Sequence, residues 1–361
     1  MVLPLTLLVG FLSLVWLGLM LLNLAGVVSA GNDGYEEGKN LARVLVIVPC
    51  KGRDATLEEN LLSLKEQNYR NYKIIAVVDS ESDKAVGPIK RAGIDYIISE
   101  KGHAEGSGKV AAIITAIRRF SNFDIYVNVD SDVYCKKGHI SSLVSPLADR
   151  RIGVATAYPY FNPIGGFWSK VKMAWGFVGN GMMESTVTRF VWGGSMAFRK
   201  DLIGASDFKV FRKAVSDDMA VSHFARKKGL AIAFVDKHMI SVNTDDNMAR
   251  FLEWSNRQTA LSILGNRRVL YYGLLFYSAQ ALLLVFGAAL SLYSLWYLIL
   301  LLPFAIGIAK TYRRAGRLYL SLIPIAFIMN FIFLANLIVG AGMKSIEWRG
   351  SVYRLRDPFQ G

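Results

Sequence analysis

Cysteine is nearly absent from this chain of 361 residues: Cys50 and Cys135 are far apart and have no metal-ligand neighbours in sequence. Neither a disulfide framework nor a cysteine-ligated zinc site is therefore expected. Histidine is almost as scarce, with four isolated residues, so a histidine-held metal is not expected either. Acidic side chains are outnumbered, 28 against 42 Lys and Arg, for a formal charge of +14. A surplus of this sign suits a face held against anionic lipid, or an anionic donor such as a nucleotide sugar. No basic stretch is interleaved with a nucleic-acid motif, which argues against nucleic acid as a partner. Internal repeats and low-complexity tracts are lacking as well.

What the chain has in abundance is apolar sequence. It is 53% hydrophobic, with a mean hydropathy of +0.32, and its charges crowd into the middle. That distribution implies a soluble domain tied to a membrane bilayer. Val2 to Val28 is long enough to cross a bilayer. Val28-Ser29-Ala30 resembles a signal-peptidase site, but the run is too long for a signal core and no Lys or Arg precedes it. Residues 1–30 are therefore expected to form an uncleaved transmembrane anchor. Lys39, Arg43, Lys51 and Arg53 all follow it, so the positive-inside tendency places the N-terminus outside and the 40–246 domain in the cytoplasm.

Beyond an amphipathic region at 247–268, expected to lie at the interface, the chain turns apolar again. Val269 to Ala309 has room for two spans with a turn near Ser291 to Ser294, and Leu318 to Gly340 for another. Lys310, Arg313, Arg314 and Arg317 form a basic loop between them. Three full crossings would put the basic tail at 343–361 outside, against the charge rule. One stretch of 269–342 is thus expected to be re-entrant or interfacial, leaving Lys344, Arg349, Arg354 and Arg356 cytoplasmic. This is an integral membrane protein by expectation, in the plasma membrane of a prokaryote or a Golgi-type endomembrane of a eukaryote.

The middle reads as α/β. Val44 to Val48 is a β-rich run stopped by Pro49, and Leu57 to Leu64 recurs at helical spacing. Lys73 to Val78 is a second strand ending at Asp79, Ile94 to Ile98 a third, and Lys109 to Phe120 another helix. Such alternation is the signature of a Rossmann-like, doubly wound sheet. The apolar run Ile125 to Val129 then breaks off into Asp130-Ser131-Asp132. Ligands of open α/β sheets bind beyond the carboxyl ends of the strands, and Asp79 and Asp130 end two strands on the same edge. Two aspartates there suit a divalent cation with oxygen ligands and, through it, a diphosphate.

Several stretches together carry a family resemblance. They are Val48-Pro49-Cys50-Lys51-Gly52-Arg53-Asp54, Asn71-Tyr72-Lys73 leading into Val78-Asp79, Gly108-Lys109, Asp130-Ser131 and Ala157-Tyr158-Pro159-Tyr160. Further on come Gly193-Gly194-Ser195 through Asp201, Ser216-Asp217-Asp218, and the tail Trp348-Arg349-Gly350 through Arg356. In this order they resemble family 2 type glycosyltransferases over nearly the whole chain, and the ceramide glucosyltransferases most closely. The resemblance implies a GT-A fold with a mixed sheet, a UDP-sugar donor, a Mg²⁺ or Mn²⁺ ion and inversion at the anomeric carbon.

Roles follow from the resemblance residue by residue. Asp132 and Asp130 match the motif that holds metal and diphosphate, with Asp130 and Ser131 nearer the nucleotide. Pro49 and Asp79 fall where the nucleotide is bound, and Lys109 would reach the diphosphate. Asp218 corresponds to the general base, with Asp217 beside it tending to raise its pKa. The same pair also reads as acidic residues at a helix N-terminus with Ser216 as cap. Gly194 and Ser195 would let backbone approach the donor sugar or acceptor, or serve as an ordinary turn. Arg250-Phe251-Leu252-Glu253-Trp254 matches an Arg/Gln-x-x-Arg-Trp motif, except that Glu253 replaces the second arginine. Arg250, Trp254 and Arg257 share one helical face, so Arg257 is placed to supply the missing cation. The aromatic and Met-rich stretch Phe161 to Phe190 reads either as a membrane-surface segment lining an acceptor entrance or as core.

The expectation is an inverting glycosyltransferase that moves one sugar, glucose by resemblance, to a lipid acceptor hydroxyl at the cytoplasmic face. A polyprenyl-phosphate sugar synthase, a processive polysaccharide synthase and a non-catalytic nucleotide-sugar-binding regulator are the alternatives.

Overall fold

The computed structural model describes residues 7, 10–21, 42–52, 54–100, 105–235 and 240–356. Most of the apolar segment 1–30, together with Lys39 and Arg53, lies outside the described residues. The elements run α1 (Gly10–Leu21), β1 (Val44–Pro49), α2 (Leu57–Lys65), β2 (Tyr72–Val78), α3 (Val86–Arg91), β3 (Asp95–Ile98), α4 (Gly108–Arg119) and β4 (Ile125–Val129). They continue with β5 (Val133–Cys135), α5 (His139–Val144), β6 (Ile152–Thr156), β7 (Tyr160–Pro163), α6 (Phe167–Glu184), β8 (Ser195–Arg199), α7 (Ala205–Phe211) and α8 (Asp217–Lys227). The last are β9 (Ala231–Phe234), β10 (Ile240–Thr244), α9 (Met248–Gly265), α10 (Arg268–Ser291), α11 (Leu302–Ala315), α12 (Leu322–Gly342), β11 (Ser345–Trp348) and β12 (Ser351–Arg354).

The chain divides into two compact units, one of Asn32–Asn162, Met182–Asn243 and Lys344–Gly361, the other of Met1–Gly31, Pro163–Gly181 and Thr244–Met343. In the first, seven strands form a sheet in the order β3-β2-β1-β4-β8-β6-β9. β1 pairs in parallel with β2 and β4, whereas β8 runs antiparallel to both β4 and β6. The central strands are apolar on both faces because helices cover both, so VLVIV and IYVNV are buried along their length. Pro49 ends β1, having no N–H to give the ladder. Ser107 caps α4, its hydroxyl accepting from Val110 N at 3.3 Å, and Ile113, Ile114 and Ile117 of that helix pack into the sheet's core. Phe198, Phe211 and Phe224 close the same core. β5, β10 and β7 form a small second sheet, and β11 and β12 a hairpin.

The second unit is apolar and helical. Arg268–Ser291, Leu295–Ala315 and Leu322–Gly342 are each long and apolar enough to cross a membrane by length and composition. Leu12 and Leu19 of α1 pack with Leu283, Leu300 and Phe304, and Trp16 Nε1 donates to Ile299 O at 2.9 Å. In α12 a single polar side chain ties three helices together. Asn336, fully buried, donates to Ser255 Oγ (3.1 Å) and Asn256 Oδ1 (2.7 Å) of α9 and accepts from Trp175 Nε1 of α6 (3.1 Å). Trp168 and Trp175 stack on Phe251 and Phe333, so much of the aromatic content of α6 is internal packing, while Ile164, Phe167 and Val178 remain exposed.

Candidate active site

Because β1, β2 and β4 are parallel, their carboxyl ends open on one edge of the sheet, and the loops leaving it carry Pro49 to Asp54, Asp79 and Asp130 to Asp132. Asp79 and Asp130 follow strands on either side of β1, about 10 Å apart at two strand spacings. The loops are laced together. Lys51 pairs with Asp79 at 3.4 Å, Gly52 N donates to Asp83 Oδ1 at 2.9 Å, and Ser131 Oγ donates to Asp54 Oδ2 at 2.5 Å.

The other side of the site is built by the antiparallel strand. Pairing of Val129 with Ser195 brings the turn before β8 against the end of β4, where Asp130 N donates to Gly194 O at 3.0 Å. Asn128, a polar residue inside a buried apolar strand, points Nδ2 at Gly193 O (2.5 Å) and lies 3.5 Å from Asp217 Oδ2. Lys109, in the first turn of α4, is 2.7 Å from Asp130 Oδ1, 3.1 Å from Asp217 Oδ2 and 3.1 Å from Gly193 O. Its three N–H donors thus meet three acceptors. The clamp is sequestered: the Lys109 side chain is 9% exposed and that of Asp217 7%.

Burial shapes the charges. It pushes the Asp217 carboxyl up to about 7, against the pull of Lys109, with Asp218 and Asp130 adding to the rise. Burial alone would lower the Lys109 ammonium, but Asp130 and Asp217 outweigh it and raise it, so the amine stays charged. Asp218, half-buried at the start of α8, is held on both oxygens. Oδ2 accepts from Gly193 N at 3.2 Å, and Oδ1 accepts from Met219 N at 2.7 Å and from the Ser216 hydroxyl. Ser216 occupies the N-cap position, yet its hydroxyl goes to Asp218 and makes no cap bond. Gly193 is required here by space: a Cβ would sit 2.8 Å from Asp217 Oδ2. At Gly194 a Cβ would run into the Trp192 ring.

Asp130, Asp217 and Asp218 therefore gather around Lys109 and Gly193, and Asp79 lies along the same sheet edge. Ser195 is turned away from that edge: it is fully buried, with Oγ 2.9 Å from His139 Nε2, and burial lowers His139 to about 3, leaving a neutral imidazole. Arg250, Trp254 and Arg257 belong to the other unit, on α9. There Lys172 of α6 sits over the Trp254 ring at 4.5 Å and pairs with Asp246 at 3.1 Å, while Glu253 is exposed. Sequence reasoning missed Asn128, Lys51, Asp54 and Lys172 as partners of these residues. Only the strand-end positions of Lys51 and Asp54, inside a motif already singled out, offered a signal.

As donors for a divalent cation, Asp130 and Asp132 supply hard oxygens at the end of β4. No group of three or more His, Cys, Asp or Glu able to hold a metal occurs among the described residues. The pair fits an ion of the Mg²⁺ or Mn²⁺ type, which keeps few protein ligands and takes the rest from substrate phosphates and water.

The family model for "Glycosyl transferase family 21" matches residues 8–359. This chain belongs to that family. It is 35% identical over 134 residues to an N-acetylglucosaminyltransferase of Bradyrhizobium elkanii, covering 35% of this chain and 71% of that protein. The fold is similar to that of a mannosyltransferase from Pyrobaculum calidifontis in complex with GDP-Man and Mn²⁺, with a TM-score of 0.51, 16% identity, and 91% and 97% of the two chains covered. Glucosyl-3-phosphoglycerate synthase from Mycobacterium tuberculosis is a more distant neighbour, at a TM-score of 0.44 and 16% identity, over 65% of this chain and 85% of that one. The family 21 chain is thus a glycosyltransferase of the GT-A fold, with three membrane-length apolar helices among its described residues.

Proposed function

We propose that this glycosyltransferase moves one hexose, glucose by its family resemblance, from a UDP-sugar to the hydroxyl of a lipid acceptor at the cytoplasmic face of the membrane. Asp218 takes the proton of the acceptor hydroxyl. The acceptor oxygen attacks the anomeric carbon from the side opposite the leaving group, the bond to the diphosphate breaks, and UDP departs with inversion. Asp79 and Pro49 hold the nucleoside, and Lys109 moves from Asp130 toward the diphosphate as negative charge arrives. A Mg²⁺ or Mn²⁺ ion held by Asp132 and Asp130 would neutralise the diphosphate as it leaves. Asp217 and Asn128 keep Lys109 and the Gly193 backbone in place, and the Gly193 N–H fixes the base. The orientation that puts the domain in the cytoplasm rests on the charge rule.

The observation that carries this reading is the clamp of Lys109 between Asp130 and Asp217, with Asp218 next in the chain bonded to Gly193. Such a cationic centre beside a positioned carboxylate suits an anionic leaving group and a hydroxyl nucleophile. The similarity to an N-acetylglucosaminyltransferase makes UDP-GlcNAc the second donor to test. Purified membranes are incubated with UDP-glucose, UDP-GlcNAc or GDP-mannose, and the products are read by mass spectrometry. A lipid carrying a single sugar through a glycosidic (acetal) bond is expected. A long polymer excludes single transfer, and an acid-labile phosphodiester indicates a polyprenyl-phosphate acceptor.

A further inference from the structure

The hairpin of β11 and β12 takes no part in the chemistry above, yet it touches the same sheet edge. Trp348 pairs with Ser351 across a two-residue turn, Arg349-Gly350, whose φ angles are 49° and 75°. Two successive left-handed residues make the tight turn whose twist suits a hairpin, and Asn-Gly or Gly-Gly fills it without strain. Arg349 is instead the one non-glycine residue with positive φ among the described residues. Backbone strain of this kind persists where the surroundings hold the residue for its side chain.

That side chain grips the loop after β1. Arg349 Nη1 donates to Lys51 O, and Nη2 lies 2.8 Å from Asp54 Oδ1. The opposite oxygen of Asp54, Oδ2, accepts the Ser131 hydroxyl at 2.5 Å, and Ser131 stands between Asp130 and Asp132. Lys51, whose ammonium pairs with Asp79, also donates to Ser351 Oγ at 3.3 Å, and Gly108 N, next to Lys109, donates to Tyr353 OH at 3.4 Å. The hairpin therefore meets the β1 loop and the start of α4, and reaches the β4 turn through one intermediary. Asp54, Asp83 and Asp130 all act on the buried Cys50 thiol, and the Arg349 guanidinium acts against them.

We propose that Arg349 is a positioning residue of the donor site. It acts through Asp54 and Ser131 to fix the Asp130–Asp132 turn, and through the Lys51 carbonyl to fix the loop that reaches Asp79. Its effect falls on binding of the nucleoside diphosphate sugar and not on the transfer step, because Asp218 hangs on Gly193, on the far side of β4. The inference rests on the donor-site reading given above.

The test is a double-mutant cycle in the full-length enzyme, with donor KM, kcat and the Kd for UDP as readouts. Arg349→Ala is expected to raise donor KM and UDP Kd about tenfold with kcat within about twofold, and Asp54→Ala to do the same. Because the two act as one unit, the double variant should be no worse than either single one. An unchanged KM in Arg349→Ala, or single effects that multiply in the double variant, overturns the proposal while wild-type donor binding leaves the site reading standing. Wild-type protein that binds no nucleotide overturns both.

Discussion

Replacing Lys109 by Met removes the cation at the centre of the site, and the geometry sets the size of the effect. At an effective dielectric of about 20, contacts of 2.7 and 3.1 Å to Asp130 and Asp217 are each worth roughly 5 to 6 kcal/mol before desolvation is counted. Removing one side of a buried pair costs about 3–5 kcal/mol, because the remaining charge is left without a partner. Asp217 softens the loss. Its carboxyl already titrates at about 7, so without Lys109 it takes up a proton, which brings the cost near ~3 kcal/mol at neutral pH. For a unit of this size that is a fall of about 6–12 °C in Tm. The pH dependence has a definite sign. A carboxyl raised from 3.8 to about 7 in the folded state keeps a proton that the unfolded chain has lost, so stability falls as pH rises through that window. In Lys109→Met the window extends upward, and the deficit relative to wild type grows from pH 5 to pH 8. Thermal melts of detergent-solubilised protein at both pH values measure it. A Tm loss under about 2 °C, or a deficit that does not change with pH, refutes the clamp.

Other predictions come from single contacts. Gly193→Ala puts a methyl 2.8 Å from Asp217 Oδ2, and forcing the carboxylate aside should cost about 1–3 kcal/mol and weaken donor binding, read by melting and by UDP titration. Asn336→Ala strands the Trp175 N–H and takes a donor from the Ser255 hydroxyl and the Asn256 side-chain carbonyl inside the apolar unit, for a loss of about 1–3 kcal/mol in detergent melts. Chelation followed by return of Mg²⁺ or Mn²⁺ should abolish and restore transfer, and Asp132→Asn should raise the ion concentration needed for half-maximal rate.

The parallel half of the fold was legible because its strands are short runs rich in Val, Ile and Tyr closed by Pro49, Asp79 and Asp130, and helices α2 and α4 repeat their leucines and isoleucines at helical spacing. The break expected near Ser291 to Ser294 is where α10 ends, and another helix long and apolar enough to cross a membrane follows at Leu295–Ala315. Asn128 gave no sign of its role: one polar residue in an apolar strand has no periodicity, and its partner Gly193 lies 65 positions away. The direction of Ser195 depends on the register of β8 against β4, which composition does not encode. Arg349 and Asp54 are 295 positions apart, and only the closed hairpin brings them together. Likewise Lys172 comes to lie over Trp254 because α6 packs beside α9, a pairing of residues 82 positions apart that helical spacing does not show.

The most direct measurement replaces the base alone. Asp218→Asn keeps the shape of the side chain and an acceptor for Gly193 N–H but cannot take a proton from an alcohol. UDP should bind it with wild-type affinity by calorimetry, while transfer to lipid falls by about 10²–10⁴-fold. Transfer at the wild-type rate would contradict the account, and so would a variant that melts normally yet no longer binds UDP.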